Sequence, residues 1–474
     1  MKQIGIVFVT FFSALSAIAA APPSSFGGLF LDKTMRVDYF HTGTPKGDEI
    51  IALDRIVSDG PWAGTRTHPI DTTNLGKYYF EVVDRATNQP IYSRGFASVY
   101  GEWETTDDAR ENAGTFEESI RFPWPKNPVQ VVLKKRDKRN AFQQIWSTVI
   151  DPASRFVNHS DLKPIGTVWT VFENGPPSQK VDLLIIGEGY TASELPKFHA
   201  DVKRLSAKLF ATEPFKSRKG DFNVRAIDLP SDQSGVHRPR TNDDRRTKTG
   251  VEYNIFDSER YVLTLDNKAM RDVASAAPYD FLEILVNEKQ YGGGGIFNDQ
   301  ATAAVDTGFA EYVFVHEFGH HFAGLGDEYY TSDVSYQTGA AEHPEPWEPN
   351  LTANGAHPKW NDMVDRDVPL PTPWDKEAFE KHSRDYQAER RKLRNANVPE
   401  TQMDDLFRRE LVWETQFLGA QKYVGKVGAF EGAGYEAKGL YRPQADCIMF
   451  TRDEVGFCRV CSRAIERIID EHAR

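Results

Sequence analysis

The chain has 474 residues, of which 40% are apolar and 27% charged, and a formal net charge of −12. That length exceeds one compact core and predicts roughly two to four domains, while the composition excludes a disordered or fibrous chain. With a pI of about 5.6 there is no basic face of the kind that a nucleic-acid partner requires, and none is expected.

Residues 1–20 read as a signal peptide. Lys2 gives a short positive start, Ile4 to Leu15 form an apolar stretch, and Ala17 and Ala19 give a small-x-small cleavage pattern. The stretch is too short, and too soon ended by Pro22 and Pro23, to span a bilayer. An exported protein, periplasmic or extracellular and without a membrane span, is therefore expected. All three cysteines, Cys447, Cys458 and Cys461, lie near the C-terminus. In an exported chain a disulfide from Cys447 to one of the other two is expected.

Residues 26–155 are strand-rich, with runs such as "TMRVDYFHTG" and "NPVQVVLKKRD", and predict a β-sandwich accessory domain. It carries no catalytic constellation, and its partner cannot be named from the sequence. Residues 156–180, which include "NGPPSQK", read as a polar linker. From 181 the pattern alternates. "VDLLIIGEGY" is a buried strand, 192–214 is helical, and 222–230 and 280–287 are further strands. The expectation is an α+β multidomain chain whose second unit, 181–474, is α/β. "YGGGGIFNDQATAAV" (291–305) reads as an edge strand that could receive an extended peptide, or else as a flexible loop. A charged helical stretch at about 375–420 reads as a solvated insertion, and 455–474 as a terminal helix.

Within this unit "HEFGH" places His316 and His320 four residues apart. On a helix that spacing sets two imidazoles on one face, able to meet one zinc ion. Glu317 cannot easily join them as a ligand but can reach a water at the metal, as a general base would. The metzincin pattern then calls for a glycine three residues after the second histidine and a third histidine three later; Ala323 and Gly326 stand there instead. Gly324 and Gly326 can end the helix with positive-φ turns, and Asp327 is the preferred third ligand. Glu328 and a more distant residue are the alternatives. His321 points away from His320 and reads as a packing or supporting residue. Met449, in "DCIMF", stands where a methionine turn could floor the site.

"HEFGHHFAGLGDEYY", "EGAGY", "GLYRP", "CIM" and "LLIIGEGYTASELPKFHAD" together resemble the bacterial IgA-protease family of zinc metallopeptidases. The resemblance extends over most of the mature chain. It implies a metzincin-like fold, zinc on His316, His320 and Asp327, Glu317 as base and Met449 in the turn. The expected activity is endopeptidase cleavage of a protein or peptide substrate. An astacin-type tyrosine two residues past the turn methionine is missing, since Thr451 stands there; Tyr435, Tyr441 and Arg442 are the weaker candidates for an oxyanion donor. Two rival readings are a cell-surface or glycan-binding module with an idle zinc unit, and a zinc amidase acting on cell-wall peptides.

Overall fold

The computed structural model describes residues 25–332, 343–453 and 455–473. The expected signal peptide at 1–20 lies outside the described residues. Among these residues no helix is long and apolar enough to cross a membrane.

The first part of the chain forms two four-stranded sheets. One runs Gly114–Pro125, Phe30–Gly43, Glu49–Ser58, Val157–Asn158; the other runs Pro90–Phe96, Tyr78–Asp84, Val129–Arg136, Phe142–Ile150. In Tyr78–Asp84 buried residues alternate with half-buried ones, the period of two that sets one strand face inward. Met35, Val37, Tyr39 and Phe122 of one sheet share a core with Phe80, Val82, Val131 and Leu133 of the other. His41 is fully buried at this interface. Its Nδ1 lies 2.9 Å from Glu118 and its Nε2 2.8 Å from Glu49. Burial opposes charge on the ring, but the two carboxylates outweigh it and hold His41 up at about 9.

The sequence reads 156–180 as a linker; the structure corrects this. Within that span Thr167–Phe172 forms a strand antiparallel to Phe222–Asp228. "TVWTVF" is β-branched and aromatic throughout, which suits a pleated edge, and the nearby prolines obscure that signal.

This strand opens a six-stranded sheet whose order is Gly293–Ile296, Gln300–Ala304, Phe281–Val286, Val181–Glu188, Phe222–Asp228, Thr167–Phe172. The four inner strands are parallel and both edges antiparallel. Every residue of Val181–Glu188 is buried, as expected for a parallel strand covered on both faces. Leu183 and Ile185 meet Phe198, Val202, Phe314, Phe318 and Ile465 from the helices Leu195–Leu209, Ala310–Ala323 and Arg459–His472. Leu184 and Ile186 meet Met270 and Val273, from helix Asn267–Ala274, on the opposite face.

The glycine run forms the edge strand rather than a loose loop, and close packing explains its composition. A Cβ on Gly293 would stand 2.6 Å from Val313 Cγ1, and one on Gly295 would strike the Glu317 carbonyl oxygen. The bare strand lets helix Ala310–Ala323 lie directly on the sheet edge.

The charged stretch at 375–420 is a pair of helices, Lys376–Asn395 and Glu400–Gly419, and it is more than a solvated insertion. Phe379, Tyr386, Met403, Leu406, Phe407 and Leu418 enter the main core. A narrow apolar stripe recurring at three, four or seven residues is enough to bury one face of each helix.

Candidate metal centre

Helix Ala310–Ala323 is apolar nearly all round and mostly buried. Glu317 and His320 are its half-exposed exceptions on the cleft side, while His316 is buried. The helix ends at Gly324, whose φ is +59°. The Gly324 and Leu325 amides donate to the His320 and Gly319 carbonyls at 3.0 and 3.4 Å, a left-handed stop that glycine adopts without strain. Gly326 departs from the sequence expectation because its φ is not positive. It is glycine for space: a Cβ would collide with Leu351 Cδ1. Its amide donates to Asn350 Oδ1 at 2.7 Å, and its carbonyl accepts from Asn350 Nδ2 at 2.8 Å.

This exit turns Asp327 back under the helix. Asp327 Oδ1 lies 3.1 Å from His316 Nε2 and 3.2 Å from His320 Nε2, and the two Nε2 atoms are 3.2 Å apart. Nitrogen and oxygen ligands at about 2.0–2.1 Å from a tetrahedral ion stand roughly 3.3 Å from one another, so this triangle fits such an ion. The other ring nitrogens are already committed. His316 Nδ1 donates to the Ile448 carbonyl at 2.9 Å and His320 Nδ1 to the Leu325 carbonyl at 2.5 Å. A carbonyl can only accept, so both rings carry their proton on Nδ1 and present Nε2 as a lone pair.

Burial opposes ionisation of Asp327, but the two imidazoles in their protonated form hold it well below the usual carboxylate range, a positive charge that a metal on the Nε2 atoms would supply instead. Its second oxygen accepts from the Tyr435 hydroxyl. Glu317 carries a raised pKa, chiefly through burial, with the neighbouring imidazoles pulling the other way. A ligand atom of Glu317 lies within 4.8 Å of those of His316 and His320. His321 is turned into the sheet. Its Nδ1 donates to the Ile296 carbonyl at 2.9 Å and its Nε2 accepts the Leu282 amide at 3.0 Å. Burial pushes it down to about 3, and the neutral ring staples the helix to two strands.

Met449 is fully buried below the helix. A Cβ on Gly319 would stand 3.1 Å from its Sδ, and its carbonyl accepts the Glu328 amide at 2.8 Å. Glu328 itself faces away from the triangle, toward Asn350 and Cys461. The expected disulfide is absent: all three cysteines are free, with Cys447 Sγ and Cys461 Sγ 3.9 Å apart. Two of the sulfurs accept backbone amides, Cys458 N–H donating to Cys447 Sγ at 3.2 Å and Cys461 N–H to Cys458 Sγ at 3.4 Å.

The triangle opens onto a cleft of about 390 Å³. Tyr435 lines it, whereas Tyr441 is not among the lining residues. Arg442 is buried, donating to the Gly432 and Ala445 carbonyls. Two contributors were not foreseen. Arg260 lines the cleft and donates to Tyr329 Oη at 3.3 Å. Lys77, Gly101, Glu102 and Thr105 of the N-terminal unit form part of its wall. That unit is pinned to the edge hairpin, with Ala97 N–H donating to the Phe297 carbonyl at 2.9 Å and Asn298 Nδ2 to the Gly95 carbonyl at 2.7 Å. Glu283, fully buried on an inner strand with both oxygens unpartnered among the described residues, was also missed. Its one signal was an acid inside the apolar run "FLEILV".

Two imidazoles, a carboxylate and an adjacent half-exposed glutamate at the mouth of a cleft form a candidate metal centre. The family comparison agrees. The family described as IgA Peptidase M64 matches residues 170–469, and the family described as Peptidase M64 N-terminus matches residues 25–147. The chain belongs to the IgA peptidase M64 family and is a peptidase. No curated protein matches it.

Proposed function

We propose that this chain is an exported zinc endopeptidase with a metzincin-like catalytic unit at 181–474 and a β-sandwich accessory domain at 26–155. In this reading His316, His320 and Asp327 hold Zn²⁺ and Glu317 is the general base. The observation that carries it is the triangle of Nε2, Nε2 and Oδ1 atoms with 3.1–3.2 Å edges. Further support comes from the parallel sheet with an antiparallel edge over the histidine helix, and from Met449 packed beneath that helix. The leader-like sequence of residues 1–20 is the support for export.

Zinc, when bound, supplies Lewis acidity toward the scissile carbonyl and activates water for attack. Glu317, with its pKa raised by burial, takes the proton from the attacking water and returns it to the leaving amine. The Ile448 and Leu325 carbonyls fix both imidazoles, and the Tyr435 hydroxyl fixes Asp327, so the donors do not have to reorganise during the reaction.

An extended substrate lies along Gly293–Ile296. The Gly293 amide and carbonyl are already bonded to Arg260 and Val262, and the Phe297 carbonyl to Ala97. The strand's alternation turns Gly295 outward between them, leaving a short stretch of edge for a peptide backbone. Arg260 and the Lys77 to Thr105 wall then meet the substrate's side chains.

The test is Glu317→Gln, assayed on casein and on short peptides. Activity should fall by about 10²–10⁴-fold while metal content, measured by mass spectrometry, stays at the wild-type value. Intact peptidase activity with metal retained would refute the assignment.

A further inference from the structure

The three free cysteines and Glu328 form a second cluster, outside the cleft. Their ligand atoms all lie within 4.8 Å of one another, and all four residues are buried. Cys447 Sγ and Cys461 Sγ are 3.9 Å apart, and Cys461 Sγ lies 3.3 Å from Glu328 Oε1. Sulfur ligands at about 2.3 Å from a tetrahedral zinc stand roughly 3.8 Å from one another, and a sulfur and an oxygen roughly 3.6 Å. The sulfur–sulfur edge therefore has the length of a shared metal rather than of a disulfide, which would be about 2.0 Å.

Glu328 supplies an independent sign. It is fully buried. Oε1 has the Asn350 amide at 3.0 Å, but Oε2 has no hydrogen-bond partner among the described residues. A buried carboxylate with a bare oxygen is costly unless a cation answers it. A single disulfide would leave one thiol over and Glu328 unanswered, whereas a metal accounts for all four groups. At Cys458 the surroundings suit a thiolate, whereas burial above all keeps Cys447 and Cys461 protonated until a cation displaces their protons. Cys458 is the N-cap of the fourteen-residue helix Arg459–His472, and its sulfur accepts the Cys461 amide; a helix N-terminus favours negative charge. The buried Arg442 guanidinium acts electrostatically on both Glu328 and Cys447.

We propose that Cys447, Cys458, Cys461 and Glu328 form a structural site for zinc or a similar thiophilic divalent cation. Binding displaces the three thiol protons, and three thiolates and one carboxylate around a dication leave two negative charges, one of them offset by Arg442. The site is closed, with four protein ligands and no open position. Its function is mechanical. Glu328 follows Asp327 directly, Cys447 precedes Met449 by two residues, and Cys458 and Cys461 start the last helix. One ion thus ties the third-donor segment, the methionine turn and the terminal helix together.

The experiment uses the full chain carrying His316→Ala and His320→Ala, which removes the catalytic triangle and leaves the cysteine cluster intact. Mass spectrometry should find one zinc per chain, and X-ray absorption a sulfur-rich shell at about 2.3 Å. Cobalt exchanged into the same variant should show thiolate-to-cobalt absorption in the near ultraviolet. Stripping the ion with a strong chelator should lower the melting temperature and release three titratable thiols. A variant with no metal, a shell without sulfur, or one free thiol beside a disulfide would overturn the proposal. Because the variant lacks the catalytic histidines, none of these outcomes depends on the peptidase mechanism.

Discussion

Replacing Gly295 with alanine tests whether catalysis requires the helix to lie directly on the sheet edge. A Cβ there would collide with the Glu317 carbonyl oxygen and stand 2.9 Å from His320 Cβ. Carbon atoms settle at about 3.5–4.0 Å, so strand and helix must separate by roughly 0.6–1 Å. Overpacking of this kind costs about 1–3 kcal/mol, and a displacement near 1 Å at reacting groups costs about 10²-fold in rate. The proposed base, Glu317, and one proposed donor, His320, sit on the displaced turn, so both effects fall on the proposed chemistry. Gly295→Ala should therefore lower kcat/KM on a fluorogenic peptide about 100-fold and lower the melting temperature by a few degrees. Gly220→Ala is the control: it has no atom within 4 Å of its would-be Cβ and should change stability by no more than about 0.5 kcal/mol. A Gly295→Ala enzyme with wild-type turnover and melting temperature would refute the claim that these glycines set the helix position.

Tyr435→Phe removes the hydroxyl that donates to Asp327 Oδ2. Metal affinity should fall about 10–100-fold in competition with a chromogenic chelator, and unchanged affinity would remove Tyr435 from the site. Dialysis against a chelator should abolish hydrolysis, and added zinc should restore it; persistent activity would rule out a metal mechanism. His41 predicts a pH dependence of stability. Its folded pKa is raised to about 9 from an unfolded value near 6.5, so its contribution is complete below about pH 6.5 and is lost as pH rises toward 9, on the order of 3 kcal/mol in all. Denaturant melts from pH 6 to 9 should show this slope, and His41→Gln should flatten it. An equal slope in the variant would assign the effect to other groups.

The metal-motif helix was legible because its information is local. Imidazoles at i and i+4, an apolar face and a glycine stop all lie within a fourteen-residue helix and its C-cap. The slip relative to the metzincin pattern also has a local cause. From Gly324 to Asp327 is three residues, the pattern's own spacing between turn and third donor; the extra residue lies in the helix before the glycine. What the sequence concealed depends on contacts between distant segments. Lys77 and Glu102 are ordinary charged residues until the bonds from Ala97 to Phe297 and from Asn298 to Gly95 bring their unit against the cleft. The stripe from Phe379 to Leu418 is thin enough for the surrounding charge to hide it.

The same distinction bears on specificity. The proposed donors and base come from one short stretch of chain, 316–327, which places the proposed bond-breaking chemistry within a single helix and its exit. The cleft walls come from several separate places, among them Arg260, Lys77 with the 101–105 turn, the 346–351 segment and the hairpin tip at Tyr435. Tyr435 belongs to both sets, since its hydroxyl holds Asp327 while its ring lines the cleft, and its φ of +66° is one that only strong local constraints impose on a tyrosine. Its amide donates to the Tyr329 carbonyl at 3.0 Å, and that of Gly434 to the Asp327 carbonyl at 2.9 Å. Those two bonds lock the hairpin to the third-donor segment. A substrate that displaces the hairpin therefore also pulls on Asp327, so changes at the hairpin tip should alter kcat and KM together, whereas changes at Lys77 or Glu102 should act mainly on KM.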